Sequence, residues 1–345
     1  MIDEMTPGRQ VQHTLSFNGH NVDTALADYI ESISYTDVAA GSADSLSITL
    51  QNIDGIWLRD WYPQKGSAVS GGLIFKRWND DGSDHILQCG ILTLDDIRLN
   101  FNPKTAELSC VGMPASESFR TREHDQTWEW ITIENIAREI CGRYGLDLYY
   151  WASPIIIAKL EQSNDDSSFL MKLCEDYGLS MKIFRDRLFI YDTAGLEEFP
   201  SILTLKESDC EDISFTDGIF GTYTGARVSY KNIDSDEEIS IYIGLQDENA
   251  EGSRVIKVNE TCNSEAEARI KGAAQINKSK RGETTMSATI FPNPRITSGT
   301  CIDLDPNDFG RLSNRYFVDK VTWDVSSSGT KQQIEAHSVK AKVWP

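Results

Sequence analysis

The stretch from Leu160 to Asp192, LEQSNDDSSFLMKLCEDYGLSMKIFRDRLFIYD, constrains the fold most, because its hydrophobic period changes in the middle. Asn164 and Asp165 offer side-chain acceptors to the first free amides of a helix, and Phe169, Leu170, Leu173, Cys174 and Tyr177 follow at helical spacing. Gly178 can adopt the left-handed conformation that closes a helix. From there the period is two, with Leu179, Met181 and Ile183 alternating against polar neighbours. Arg185 to Arg187 turn the chain, and Leu188 to Tyr191 return as the second arm of a hairpin. A shorter version lies upstream: Thr132 opens a helix with Ile133, Ile136, Ala137, Ile140, Cys141 and Tyr144 on one face, Gly145 stops it, and Leu146 to Trp151 is extended. Tyr-Gly-Leu followed by an extended run thus occurs twice, at Tyr144 and Tyr177, which predicts two helix-to-strand units in one small α/β domain.

On either side the pattern is that of strands and turns. Leu46, Ile48 and Leu50 alternate with Ser47 and Thr49, and the run Ile86 to Phe101 turns at Asn102-Pro103-Lys104 into Glu107 to Val111. Residues 113–130 read as a connection, and Gly195 to Ser201 as a second one. Beyond it, strands are expected at Gly225 to Tyr230, Ile239 to Gly244, Arg254 to Val258, Thr284 to Phe291 and Thr300 to Asp303. One helix intervenes, opened by Ser264 with Glu267 three residues on as a capping box, and carrying a narrow face of Ala266, Ile270, Ala273 and Ala274. A final hairpin runs Tyr316 to Val325, turns at Ser326 to Gly329, and returns through Gln332 to His337. Both β-rich regions therefore end in a long hairpin, which hints at two copies of one plan.

At 345 residues the chain exceeds what one core usually serves, so two or three domains are expected. No apolar run approaches the roughly 18 to 20 residues of a membrane helix. Met1 to Glu4 is acidic with no apolar core, so no secretory signal and a cytoplasmic site of folding are expected. Seven cysteines stand singly and in odd number, against a disulfide framework, and Cys141 and Cys174 fall on apolar helix faces as buried thiols. The balance of 33 basic and 53 acidic residues gives a net charge of -20, which disfavours nucleic acid as a ligand. From Leu203 to Gly252 there are 12 acidic residues against three basic ones.

Chemical motifs are sparse. The five histidines are isolated, and no GxSxG, HExxH, phosphate-binding loop or GxGxxG occurs, so neither an enzyme nor a cofactor is expected. Asp303, Asp305 and Asn307 have the spacing of the first ligands of a calcium loop, but Asp308 replaces the loop glycine and Asn314 the terminal Glu, so an acidic turn is the expectation. Trp57, Trp61 and Tyr62 form a dense aromatic cluster suited either to a packed corner or to a docking surface.

Several stretches together resemble one family, the phage late control protein D proteins, the baseplate hubs of contractile phage tails and related injection particles. The resemblance is carried by Ser34 to Asp37 through Asp44 to Leu50, Trp57 to Gly66, Gly112 to Ala115 and Phe119 to Arg122. It continues in Glu161 to Asp166, Phe169 to Leu179, Asn293 to Arg295, Ser298 to Thr300 and Tyr316 to Thr322. The chain departs from the family at Trp323, where a His is frequent, and at the turn Ser328 to Lys331.

The resemblance implies a mainly β protein in which two tube-like antiparallel β-barrel or sandwich domains, 1–113 and 201–345, flank a small α/β domain, 114–200. It implies a homotrimer that joins a sixfold tail tube to a threefold central spike within a virion or bacteriocin-like particle assembled in the bacterial cytoplasm. The implied partners are its own copies, the tail tube protein, the spike, other baseplate proteins and the tape measure protein, with no stable membrane association. Asp234, Asp236, Glu237 and Glu238, from the acidic tract, are candidates to line the lumen, where like charge would repel passing DNA. The competing expectations are a carbohydrate-binding or adhesin-like β protein and, behind it, a cell-wall hydrolase.

Overall fold

The alternating runs at the start of the chain form β1 (Gln10–Phe17), β2 (His20–Asn21), β3 (Ile30–Val38), β4 (Ser45–Gln51), β5 (Ala68–Lys76), β6 (His85–Phe101) and β7 (Lys104–Val111), with the short helix α1 (Asp23–Leu26) before β3. The computed structural model describes residues 8–345 apart from 60, 80–81, 113–117, 232–237, 259–261 and 263. The middle of the chain forms α2 (Ser118–Thr121), β8 (Gln126–Thr132), α3 (Ile133–Tyr144), β9 (Asp147–Trp151), β10 (Ile156–Gln162), α4 (Asp166–Asp176), β11 (Leu179–Phe184), β12 (Arg187–Asp192) and α5 (Thr193–Leu196). Then come β13 (Thr204–Leu205), β14 (Cys210–Asp217), β15 (Gly225–Lys231), β16 (Glu238–Gly244) and β17 (Val255–Val258). The chain closes with α6 (Glu265–Arg281), β18 (Thr284–Ile290), β19 (Cys301–Leu304), α7 (Pro306–Phe309), β20 (Arg315–Ser326) and β21 (Gly329–Ser338).

The fold is mainly β, as the sequence predicts, and one sheet runs through both β-rich regions. Their strands join in one sheet of order β14-β18-β21-β20-β3-β4-β7-β6-β5-β1-β2, with β19 branching from β20 and β13 pairing β19. The seam is β20 against β3, antiparallel from Lys320↔Val38 to Ser326↔Ser32. One hydrophobic core spans it: Leu46, Ile48 and Leu108 share a cluster with Val318, Val321 and Ile334. Trp323 is fully buried and packs edge-on against Phe75 from the other region, ring centroids 5.0 Å apart. The boundaries expected at 113 and 201 thus separate segments whose strands are continuous in space.

Both expected long hairpins form, and they share a design. β6 and β7 close at Phe101↔Lys104 and β20 and β21 at Ser326↔Gly329, each over a two-residue turn. Each hairpin carries one extra residue in its first strand, Asp95 and Asp319, where the register shifts.

The two helix-to-strand units also form, and they meet in one sheet of order β11-β12-β9. The Thr132 hydroxyl caps α3 at the Asn135 amide and the Asp165 carboxylate caps α4 at the Ser168 amide, 3.2 and 2.8 Å away. Gly145 and Gly178 both have positive φ, as the helix-closing role requires. Cys141 and Cys174 are buried on the core faces of their helices. The connection expected over 113–130 contains a strand instead, β8, paired with β10. Trp130 takes φ 48, so Trp128 is buried while Trp130 stands 75% exposed, and the alternation that marks a strand is lost.

Helix α6 is wedged between two bodies, which explains its small residues. Ala268, Gly272 and Ile276 face the small sheet β16-β15-β17, where a methyl on Gly272 would lie 2.6 Å from Ile243 Cδ1. On the opposite side Ala274 approaches Gly178, and Ile270 packs on the α/β core. Ala266, expected on the packed face, is exposed. The expected capping box is one-sided: Ser264 Oγ accepts from the Glu267 amide at 3.1 Å, while the Glu267 carboxylate accepts from Tyr177 Oη at 2.6 Å and pairs with Lys271.

Candidate functional site

The aromatic cluster divides into an anchor and a surface. Ile56–Leu58 forms a 3-10 turn that buries Trp57, whose indole N–H donates to the Gln51 carbonyl at 2.9 Å. Trp61 packs edge-on against Trp57, tilts against Tyr29, and remains exposed together with Tyr62, Ile53 and Leu58. Asp234, Asp236 and Glu237 lie outside the described residues, and Glu238 opens β16 with its side chain exposed. Asp303 accepts from Ser201 Oγ at 2.6 Å, and Asp305 caps α7 through the Asn307 amide at 2.9 Å, so both carboxylates have structural uses. Among the described residues no group of three or more His, Cys, Asp or Glu is placed to hold a metal ion.

Two buried charge clusters, neither assigned a role from sequence, fasten the α/β domain to the large sheet. In the first, Lys182 of β11 reaches into the β3–β4 turn. Its ammonium lies 2.5 Å from Asp37 Oδ1 and 3.1 Å from Asp44 Oδ1, and it donates to the Val38 carbonyl at 2.9 Å. Asp37 also accepts from the Ser298 amide at 2.9 Å and hydroxyl at 2.7 Å, bringing a loop of the C-terminal region to the same point. Tyr191 donates to the Ala39 carbonyl beside it. Burial raises the Asp44 carboxyl above its ordinary range, with Lys182 opposing that shift and Asp37 adding to it.

In the second cluster the polarity is reversed. Glu197, just past α5, lies 2.6 Å from Arg281 Nε at the end of α6, 3.2 Å from His337 Nε2 on β21 and 3.3 Å from Lys342 Nζ. The bulge residue Asp319 faces the other ring nitrogen of His337 at 2.8 Å. Burial works against the Glu197 charge, but the His337 and Arg281 interactions outweigh it and bring its pKa down to about 2. Burial likewise works against the charged form of His337, yet its two carboxylate partners hold its pKa above the ordinary value.

The Asp319–His337–Glu197 line does not form a catalytic unit. Both imidazole nitrogens are engaged by carboxylates, and the adjoining cavity measures only about 10 Å³. The nearby Cys301 thiol is pushed up to about 11 by burial, which keeps it protonated. A third buried carboxylate, Asp166, takes Arg143 at 3.0 Å, Tyr144 Oη at 2.7 Å and Gln162 Nε2 at 2.6 Å within the α/β domain. Such clusters fix the orientation of segments and offer no open position to a substrate.

No family model matches the chain, and no curated protein does. Among solved structures it is similar to the 43 kDa tail protein of prophage MuSo2 from Shewanella oneidensis, with TM-score 0.69 and 13% identity over 94% of this chain and 98% of that chain. The tail protein from Neisseria meningitidis MC58 is similar to the same degree, TM-score 0.69 and 12% identity over 95% of this chain and 96% of that chain. An E. coli component of the type VI secretion system aligns with TM-score 0.55 and 9% identity, covering 94% of this chain and 77% of that chain. At these identities the likeness is one of architecture: the chain has the mainly β fold of phage tail proteins.

Proposed function

We propose that the chain is a structural baseplate hub of the late control protein D kind, a homotrimeric adaptor between a sixfold tail tube and a threefold spike. The observation that carries this reading is the pair of like-built hairpins, β6–β7 and β20–β21, within one sheet. A chain with two such hairpins presents six of them in a trimer, so threefold assembly offers a pseudo-sixfold surface. The two charge clusters suit this role because a symmetry adaptor needs its segments held in fixed orientation. On this reading the partners are the tube, the spike and neighbouring baseplate proteins, with the tape measure passing through the channel, and the site of action is the virion or a tail-like particle.

A trimer carries about three times -20 charges, and the described part of the acidic tract includes exposed Glu211, Asp212 and Glu238. Placed on a channel wall, these side chains repel a polyanion in transit. Cryo-electron microscopy of the chain bound to the spike of the same particle tests both parts. Three chains around the spike axis are expected, with these three residues facing the channel. A complex without a threefold axis overturns the adaptor, and the three residues on the outer wall overturn the lumen assignment alone.

A further inference from the structure

The three-stranded sheet of the α/β domain has one face with two fates. Its core face, with Leu188, Ile190, Met181 and Ile183, packs on α3 and α4. The inner half of its other face docks on the large sheet: Lys182 enters the first charge cluster, Tyr191 bonds to Ala39, and Phe184 sits so close over Gly90 of β6 that a methyl there would lie 2.9 Å from its ring. The outer half continues that interface into solvent. Phe189 lines a cavity of about 400 Å³ beside the docked half and stacks on Tyr149 of β9, centroids 5.1 Å apart. Trp151 stacks on Phe199 in the same way at 5.5 Å, and Tyr149 and Trp151 are 48% and 51% exposed.

β9 is also the open edge of this sheet. Among the described residues it pairs on one side only, parallel to β12, in register from Asp147↔Arg187 to Trp151↔Tyr191. The Asp147 amide donates to the Asp186 carbonyl at 3.0 Å. In a parallel ladder alternate residues bond to the same neighbour, so the backbone groups of Leu148 and Tyr150 point away from β12. Edge strands are ordinarily blunted by lysine, proline or a bulge, and β9 has none of these.

We propose that β9 is a docking edge for an extended segment of a partner protein, which adds as a fourth strand on the Leu148 and Tyr150 backbone and covers Tyr149 and Trp151 with apolar side chains at every second position. Backbone pairing supplies affinity and the two rings select alternate side chains. Arg187, whose guanidinium lies over Tyr149 at 5.3 Å, and Asp147 bound the strip at its near end, so the partner segment is apolar where it crosses the rings and polar beyond them. The inference stands whether or not the chain is a hub.

The test is display panning of random short peptides against the full chain, with the Tyr149→Lys/Trp151→Lys variant as counter-target. Amide exchange at Leu148 and Tyr150 is then measured with the best peptide bound. Enriched peptides with apolar residues at alternate positions, slowed exchange at those two amides, and binding weakened about tenfold or more by Tyr149→Ser alone are expected. The single Tyr149→Ser change keeps the test readable if the double variant fails to fold. No enriched peptide, equal binding to Tyr149→Ser, or protection elsewhere overturns the proposal. So does chitotriose binding that quenches Trp151 fluorescence and leaves both amides unprotected, since a sugar platform needs the rings but not the edge.

Discussion

The two buried clusters that fasten the α/β domain do the same mechanical work with opposite charge logic. At the β3–β4 turn one ammonium, Lys182, serves two carboxylates, Asp37 and Asp44. Past α5 one carboxylate, Glu197, serves Arg281, Lys342 and His337. In the first, burial has the upper hand and Asp44 is easier to protonate than an ordinary carboxyl. In the second, the cations have the upper hand and Glu197 falls to about 2. A fastening with surplus carboxylate can relax by taking up a proton, whereas in the one with surplus cation, where Asp319 reaches only His337, Arg281 and Lys342 both rely on Glu197.

Removing that anion should therefore do the most damage. Glu197→Gln leaves Arg281 and Lys342 buried without a counter-charge and should cost about 3–5 kcal/mol in denaturant unfolding. Lys182→Met should cost less, about 2–3 kcal/mol at neutral pH, because Asp44 can neutralise itself. The two variants part further on acidification toward pH 5: Lys182→Met regains stability as Asp44 protonates, and Glu197→Gln, in which Asp44 keeps its Lys182 partner, shows no such recovery. Parallel pH responses would break the comparison.

Gly90→Ala asks whether packing shares the load at the first cluster. Gly90 has φ 81 and its added methyl would press on Phe184, so a loss of about 1–2 kcal/mol is expected, with the pH response of the wild type retained. The smallest effect is that of His337→Gln, about 1 kcal/mol, but its signature is specific. The native state keeps the His337 proton above the ordinary value of 6.5, where the unfolded chain releases it, so its contribution is full below 6.5 and fades as pH rises through the raised value. Glu197 works the other way, contributing fully above its ordinary 4.5 and losing that contribution as pH falls toward about 2. The second cluster is thus strongest between these ordinary values, and His337→Gln should remove the decline on the alkaline side, read by unfolding across pH.

What was legible in the sequence was local. The caps at Thr132 and Asp165, the closing glycines and both long hairpins follow from residues within a few positions of one another. The clusters were not legible, because Lys182 and Asp37 are 145 residues apart and Glu197 and His337 are 140 apart. Asp37 and Asp44 belong to a stretch that carries the family resemblance, yet nothing in their spacing announces a buried cation. β8 was hidden by the left-handed Trp130, and the core shared by the two β-rich regions by a strand pairing, β3 with β20, that joins opposite ends of the chain. The small residues of α6 did predict close packing, but Ala266 was placed on the wrong side because the helix is covered on two faces rather than one.

The proposed threefold adaptor is tested most directly by the solution mass of the purified chain by light scattering, alone and with the spike protein of the same particle. A threefold adaptor gives a species of about 116 kDa, three times 38.7 kDa, for the chain alone, or a heavier complex that holds three hub chains per spike trimer. A chain that stays at 38.7 kDa with the spike present contradicts it.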